Sequence, residues 1–256
     1  MSENDLESKI NTIIKKYLGT EIDNFGIIYY NLNLNKKVGI NINKNFTAGC
    51  TFYLGLYMVI HEEIQKGNIS LDEKIDYNAE TDYQDGSGTI QWHINKSIKS
   101  PIMLKDLLDM LIMHSDNIAR RMIVRNYGGI VNIKQKLYQL INKDYDDDIN
   151  TTNTTPEIQF LLLKKVYDNQ KYYSYLIEIL QKTKKDDRIT RFIPDEIVSH
   201  KTGHFNGCAN DIGIVFSKNP YIIIFYSRDV SHQYKKIGTL SKLIYDKHVQ
   251  FHDIQN

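Results

Sequence analysis

The stretch DIGIVFSKNPYIIIFY, from Asp211 to Tyr226, decides the architecture. It reads as two strands, Asp211–Ser217 and Tyr221–Tyr226, because β-branched and aromatic residues favour extended backbone. Between them Lys218-Asn219-Pro220 forms a hairpin-like turn, since Asn and Pro favour that conformation. A third strand, Ile197–Thr202, precedes the pair. Far upstream, FGIIYY (Phe25–Tyr30) and KVGINI (Lys37–Ile42) are two more β-rich runs separated by a polar turn. Strands at both ends of a chain pair most simply into one antiparallel sheet. An amphipathic N-terminal helix, with Leu6, Ile10, Ile13 and Ile14 on one face, and a final helix near Gln233–Lys247 then pack against it.

The intervening chain is helical. Thr51–Lys66 is apolar around most of its circumference, the pattern of a central buried helix, and Gly67 stops it. Leu104–Met113 and Ile118–Tyr127 follow, and Gly128-Gly129 ends the second of these. Ile130–Ile141 is another helix, Asp144–Thr155 a polar loop, and Pro156 opens Glu157–Tyr167 at a position where proline is tolerated. Tyr173–Gln181 and the charged connector Lys182–Arg188 complete the block. The expected division is a sheet–helix lobe from 1–45 and 190–256, interrupted by a helical lobe over 46–189.

Composition narrows the function classes. In 256 residues, 32 basic groups face 31 acidic ones, a balance that excludes a dedicated nucleic-acid or polybasic membrane surface. Two cysteines, Cys50 and Cys208, cannot build a disulfide framework or a thiolate metal site. The 18 Tyr and 9 Phe require a core and exclude disorder. Neither a signal-peptide pattern nor an apolar run long enough to span a bilayer is visible, so a cytoplasmic location is expected unless a leader has been removed. Asp144, Asp146 and Asp148 imitate the first ligands of a calcium loop. Ile149 stands where that loop needs Gly, though, and Thr155 where it needs Glu. No metal and no cofactor are expected. Gly86-Ser87-Gly88 has too little pattern for a phosphate loop and reads as a flexible wall.

Two short motifs carry chemistry. Ser115-Asp116-Asn117 directly follows the Leu104–Met113 helix, and Lys201-Thr202-Gly203 lies on the first returning strand. Each alone is weak. In this order, on these elements, they resemble the second and third motifs of the serine β-lactamase and penicillin-binding protein superfamily, closest to class A β-lactamases. Phe46-Thr47-Ala48, Leu71-Asp72-Glu73-Lys74 and Thr154-Thr155-Pro156 are similar to that family as well, so the resemblance spans nearly the whole chain. It implies an α/β (α+β) protein of β-lactamase/transpeptidase-like fold, with an active-site cleft between its lobes.

The resemblance also assigns roles. Ser115 would move a proton toward the leaving nitrogen and Asn117 would hold a substrate amide. Lys201 and Thr202, followed by Gly203, would bind a carboxylate, and the N–H groups of Cys50 and His204 would form an oxyanion hole. The family's first motif is Ser-x-x-Lys, in which the lysine one turn on takes the serine's proton. Here the matching residues are Cys50 and Tyr53, and no serine anywhere has a lysine three positions later. The segment between Gly129 and Pro156, which includes Asp144, Asp146, Asp147 and Asp148, has no glutamate to activate a deacylating water.

These departures leave alternatives open. Cys50 reads as a lowered-pKa thiolate nucleophile, as a small residue filling the space of a serine, or as a partner for Cys208. Tyr53 reads as a base or, with Tyr57, as an aromatic plug. His204 either lines the cleft or merely covers strand backbone, and His114 is most simply structural. The expected function is a β-lactamase-like hydrolase relative with very weak or no β-lactam hydrolysis, still binding a carboxylate-bearing β-lactam or peptide. A Cys50-dependent acyl hydrolase or acyltransferase and a non-catalytic scaffold are the alternatives. No nucleic-acid or membrane partner is expected, and the oligomeric state is left open.

Overall fold

The structure is a computed structural model that describes residues 4–94, 101–145, 153–183 and 187–255. Its elements run α1 (Asn4–Leu18), β1 (Phe25–Asn31), β2 (Lys36–Ile40), β3 (Phe46–Thr47), α2 (Phe52–Gln65), β4 (Lys74–Ile75), α3 (Ala79–Asp82) and α4 (Ile90–Ile94). Then follow β5 (Ile102–Met103), α5 (Leu104–Met113), α6 (Asn117–Asn126), α7 (Gly129–Leu140), β6 (Asn153–Thr154), α8 (Pro156–Asp168) and α9 (Ser174–Gln181). The chain finishes with β7 (Val198–Phe205), β8 (Cys208–Val215), β9 (Tyr221–Arg228) and α10 (Gln233–Gln255). Two compact units result, one made of Met1–Thr51 with Thr152–Asn256, the other of Phe52–Thr151.

The first unit is built on a five-stranded antiparallel sheet in the order β2-β1-β9-β8-β7, so that β1 from the start of the chain pairs with β9 from its end. Leu6, Ile10 and Ile14 of α1 and Ile237, Leu240 and Ile244 of α10 form one core with Phe25, Ile27, Tyr29, Tyr221, Ile223 and Phe225. Residues of opposite parity point to the other face. There α8 lies against β1, β8 and β9, with Phe160 on Tyr30 at a ring distance of 4.9 Å, and α9 lies against β7. Covering both faces explains why YIIIFY does not alternate with polar residues: every position in it is buried.

The helical block expected over 46–189 divides differently. β3, α8 and α9 belong to the sheet unit, because β3 pairs with β6 and the apolar residues Phe160, Leu162, Leu163 and Val166 of α8 are buried there. Strand limits also shift. β2 ends at Ile40 because Asn41 turns left-handed (φ 49°), and its amide donates to Ile22 O and Phe25 O. β7 continues past Thr202 to Phe205, which sets the Lys-Thr-Gly motif inside a strand, and β8 begins already at Cys208.

In the second unit, every residue of α2 from Tyr53 to Ile60 is buried, as its apolar circumference requires, and α5 and α7 pack on it. The buried positions of α5, Leu104, Leu107, Leu108, Leu111 and Ile112, follow helical spacing. Asp82, fully buried, takes a two-pronged hydrogen bond from Arg125 at 2.8 and 2.9 Å. Among the described residues no helix is long and apolar enough to cross a membrane.

Candidate active site

In the sheet unit, a single register row organises the neighbourhood of Cys50. Gly26 stands opposite Tyr226, Tyr226 opposite Asn210, and Asn210 opposite Gly203. The segment Phe46–Thr51 lies along this row, and each member contributes differently. Gly26 leaves room for an aromatic ring: a Cβ there would stand 2.5 Å from Phe46 and 2.7 Å from Pro156. Asn210 donates its amide to Thr47 O (2.7 Å) and Ala48 O (3.2 Å). Thr51 donates its hydroxyl hydrogen to Ala48 O at 2.7 Å, so the Tyr226 hydroxyl, 2.5 Å away, is the donor to Thr51 Oγ1. Burial raises the Tyr226 pKa and keeps that donor protonated.

Gly203 closes the row. A Cβ on it would lie 2.8 Å from Ala48 O and 3.0 Å from the amide nitrogens of both Cys50 and Thr51. Reciprocally, a Cβ on Gly49, itself at φ 54°, would lie 3.1 Å from the His204 nitrogen. The turn carrying Cys50 is thus pressed against the backbone of Gly203 and His204. Replacing Gly203 by alanine is expected to push the turn off β7 and destabilise the protein by about 2 kcal/mol, because backbone atoms cannot yield as a flexible side chain does. Urea unfolding measures this; an unchanged midpoint refutes it.

Lys201 shares the Gly203 face of β7 by strand alternation and is fully buried, its Nζ 3.5 Å from Thr202 O. Thr202 is buried opposite Asp211, while His204 is exposed. Beneath the motif His200 Nδ1 meets Asp211 Oδ1 at 2.9 Å and its Nε2 meets Thr183 O at 3.3 Å. The second oxygen of Asp211 accepts from Ile189 N. Cys50 is a half-buried free thiol and Cys208 a buried one, its pKa pushed up by burial; the two are not bonded to each other.

The helical unit carries the other motif. Ser115 is buried and held in the left-handed region at φ 53°. Next to it Asp116 serves four backbone donors. Its Oδ1 accepts from Ile118 N and Ala119 N, which caps α6, and its Oδ2 accepts from Thr89 N and Ile90 N. Asn117 receives the Tyr53 hydroxyl on Oδ1 at 2.6 Å and donates Nδ2 to Asp85 O at 3.1 Å. The Gly86-Ser87-Gly88 stretch, expected as a flexible wall, is fastened here: Asn117 N donates to Ser87 O, and a Cβ on Gly88 (φ 127°) would fall 2.4 Å from Asp116. Tyr57 stacks on His61 at 6.0 Å, and His114 ends α5 with its N–H on Met110 O.

Asn210, Tyr226, Thr51 and Gly26 are missed by motif reading, since only the register brings them to one row. Asp146, Asp147, Asp148 and part of the Lys182–Arg188 connector lie outside the described residues. Asp144 and Thr155 are described, and the latter caps α8 through Ile158 N. Among the described residues no group of three His, Cys, Asp or Glu is placed to hold a metal ion.

Residues 5–248 match the family described as the β-lactamase enzyme family. The chain belongs to this family. β-Lactamase VEB-1 of Pseudomonas aeruginosa is 23% identical over 246 residues, covering 86% of this chain and 80% of that protein. Among solved structures, a PBP-A acyl-enzyme complex with penicillin G superposes with a TM-score of 0.80 at 18% identity, over 97% of both chains. The TLA-1 extended-spectrum β-lactamase reaches 0.80 at 23% identity, over 94% of this chain and 99% of that one. A β-lactamase from Sphaerobacter thermophilus gives 0.75 at 18%, over 92% and 94%. The β-lactamase fold expected from the two motifs is therefore the fold of this chain.

Proposed function

We propose that this β-lactamase-family protein binds a carboxylate-bearing β-lactam or peptide and hydrolyses it very weakly or not at all. What supports this reading is the stretch Cys50-Thr51-Phe52-Tyr53, which the resemblance sets against the family's Ser-x-x-Lys, in a chain where no serine has a lysine three positions later. A lysine there takes a proton from the nucleophile. The Tyr53 phenol instead commits its hydrogen to Asn117 Oδ1. The absence of glutamate between Gly129 and Pro156 removes the family's means of activating a deacylating water.

Binding groups, by contrast, are retained. Lys201 and Thr202 supply a cation and a hydroxyl for a carboxylate. The Cys50 and His204 amides supply donors for a carbonyl oxygen, backed by Gly203, and Asn117 supplies a side-chain amide. Ser115 keeps a hydroxyl for protonating a leaving nitrogen. A second reading rests on Cys50 being free and only half-buried. A thiolate attacking the lactam carbonyl would break the ring C–N bond and leave a thioester, with Ser115 relaying a proton from water to the departing nitrogen and hydroxide left in solvent.

Intact-mass spectrometry alongside turnover of a reporter β-lactam separates the two. The expected result is saturable binding, no adduct and negligible turnover. Turnover like that of ordinary β-lactamases overturns the reading. An adduct absent from Cys50→Ala favours the thiol enzyme, and neither binding nor adduct leaves a scaffold. Combining Cys50→Ser with Tyr53→Lys is expected to restore acylation, because it returns a Ser-x-x-Lys pair to a chain that keeps the Ser-Asp-Asn and Lys-Thr-Gly triplets.

A further inference from the structure

The C-terminal half of α10, the short turn Asp195–Ile197 and the β8–β9 connection border a cavity of about 320 Å³. That is the small end of the range for ligand pockets, roughly 300–1,000 Å³. It lies at the end of the sheet where Val198 pairs with Val215. Gly203 stands further along the same strand, so roughly 16 Å separates the cavity from the row beneath Cys50. Ile197, Phe216 and Val249 give the cavity apolar walls, and Tyr245 adds a second ring. Its charge is biased to one sign. Among the described residues that line it, Glu196 and Asp253 are carboxylates, and Lys218 is the one ammonium.

Two buried imidazoles, His248 and His252, also line the cavity without adding positive charge. Asn31 Oδ1 accepts from Asn33 N and Leu34 N, so the nitrogen end of that amide faces His252 and donates to its Nε2 at 3.1 Å. An imidazole that accepts at Nε2 is neutral. His248 donates Nε2–H to Asn219 O and accepts the Tyr29 hydroxyl at Nδ1, which leaves it neutral as well. Burial lowers the pKa of both rings. The negative end of the α10 dipole acts in the same direction as the carboxylates, because His252 and Asp253 lie in the last turn of that helix. We propose that this cavity is a second binding site, which takes a small organic cation: an ammonium group on a compact apolar or aromatic body. The body packs among Phe216, Tyr245 and Val249, and the ammonium lies toward Glu196 and Asp253. An anion of the same shape meets two carboxylates and a helix C-terminus, and is disfavoured.

Phenethylamine, 2-phenylethanol and 3-phenylpropionate share a phenyl body and differ in charge, so they test the assignment directly. Amide chemical-shift titration of the full chain near neutral pH is expected to show saturable binding of phenethylamine, with shifts centred on Ile197, Lys218 and residues 249–253. Its affinity is expected to exceed that of 2-phenylethanol by about fivefold, the size of two exposed charge pairs, with 3-phenylpropionate the weakest of the three. Glu196, Lys218 and Asp253 are exposed, so substitutions there leave the fold intact. Glu196→Gln and Asp253→Asn are each expected to weaken phenethylamine by about two- to threefold and to leave 2-phenylethanol unchanged, whereas Lys218→Gln tightens phenethylamine by a similar factor. Equal affinity for the three probes overturns the proposal, as does a phenethylamine affinity that none of the three substitutions alters. Shifts centred on residues outside the cavity, or no binding of phenethylamine at all, overturn it too.

Discussion

Asp116→Ala is expected to destabilise the protein by about 4 kcal/mol or more. Four backbone N–H groups, at Thr89, Ile90, Ile118 and Ala119, lose their acceptor together; the last three are buried, and each buried unsatisfied donor costs about 1–3 kcal/mol. The carboxylate is fully buried, so water cannot replace it without opening the fold. The loop around Gly88 separates from α6, and Ser115 and Asn117, which flank the lost cap, lose their positions. Asp116→Asn is expected to fall between, because one acceptor oxygen survives while the new NH2 faces two donors. Urea unfolding, with amide exchange at the four named positions, measures the effect; a loss below 1 kcal/mol contradicts it.

The second large effect is acid sensitivity in the sheet unit. His248 on α10 is buried, donates Nε2–H to Asn219 O at 2.7 Å and receives the Tyr29 hydroxyl on Nδ1 at 2.7 Å. Desolvation is the main cause that lowers its pKa to about 4, with neighbouring His252 adding in the same direction. In the unfolded chain the same group titrates near 6.5. Between these values the unfolded state holds more protons, so stability is full above about pH 6.5 and falls as pH drops toward 4. The total loss is about 3 kcal/mol, from the size of the shift, and levels off below pH 4. His252, whose pKa is also lowered by burial, steepens the same slope. His248→Gln preserves a donor and an acceptor without titrating there; its unfolding midpoint between pH 7.5 and 4 should fall less steeply than that of the wild type. Parallel slopes would refute the assignment.

The parts of this protein legible in its sequence are those written in local pattern. YIIIFY, the apolar α2 and the Ser-Asp-Asn and Lys-Thr-Gly triplets each declare themselves within a few residues. The placement of α8 was not legible: its apolar residues suit a helical block as well as a sheet face, and only packing distinguishes the two. Nor was Asp116 recognisable as a four-fold acceptor, because two of its donors come from a loop some 27 positions earlier. Asn210 and Tyr226 look like ordinary strand residues. Their contacts to Thr47, Ala48 and Thr51 depend on register across three strands, which no local window contains.

The register row has a consequence for transplantation. A graft that moved the Phe46–Thr51 segment and the Lys201–Gly203 strand onto a different sheet would carry the recognisable letters and leave behind their floor. Without a glycine to admit the Phe46 ring, an amide to take the Thr47 and Ala48 carbonyls, and a phenol to hold Thr51, the same residues would settle into another shape. The turn that presents Cys50 is in this sense not portable: it belongs to four strands at once.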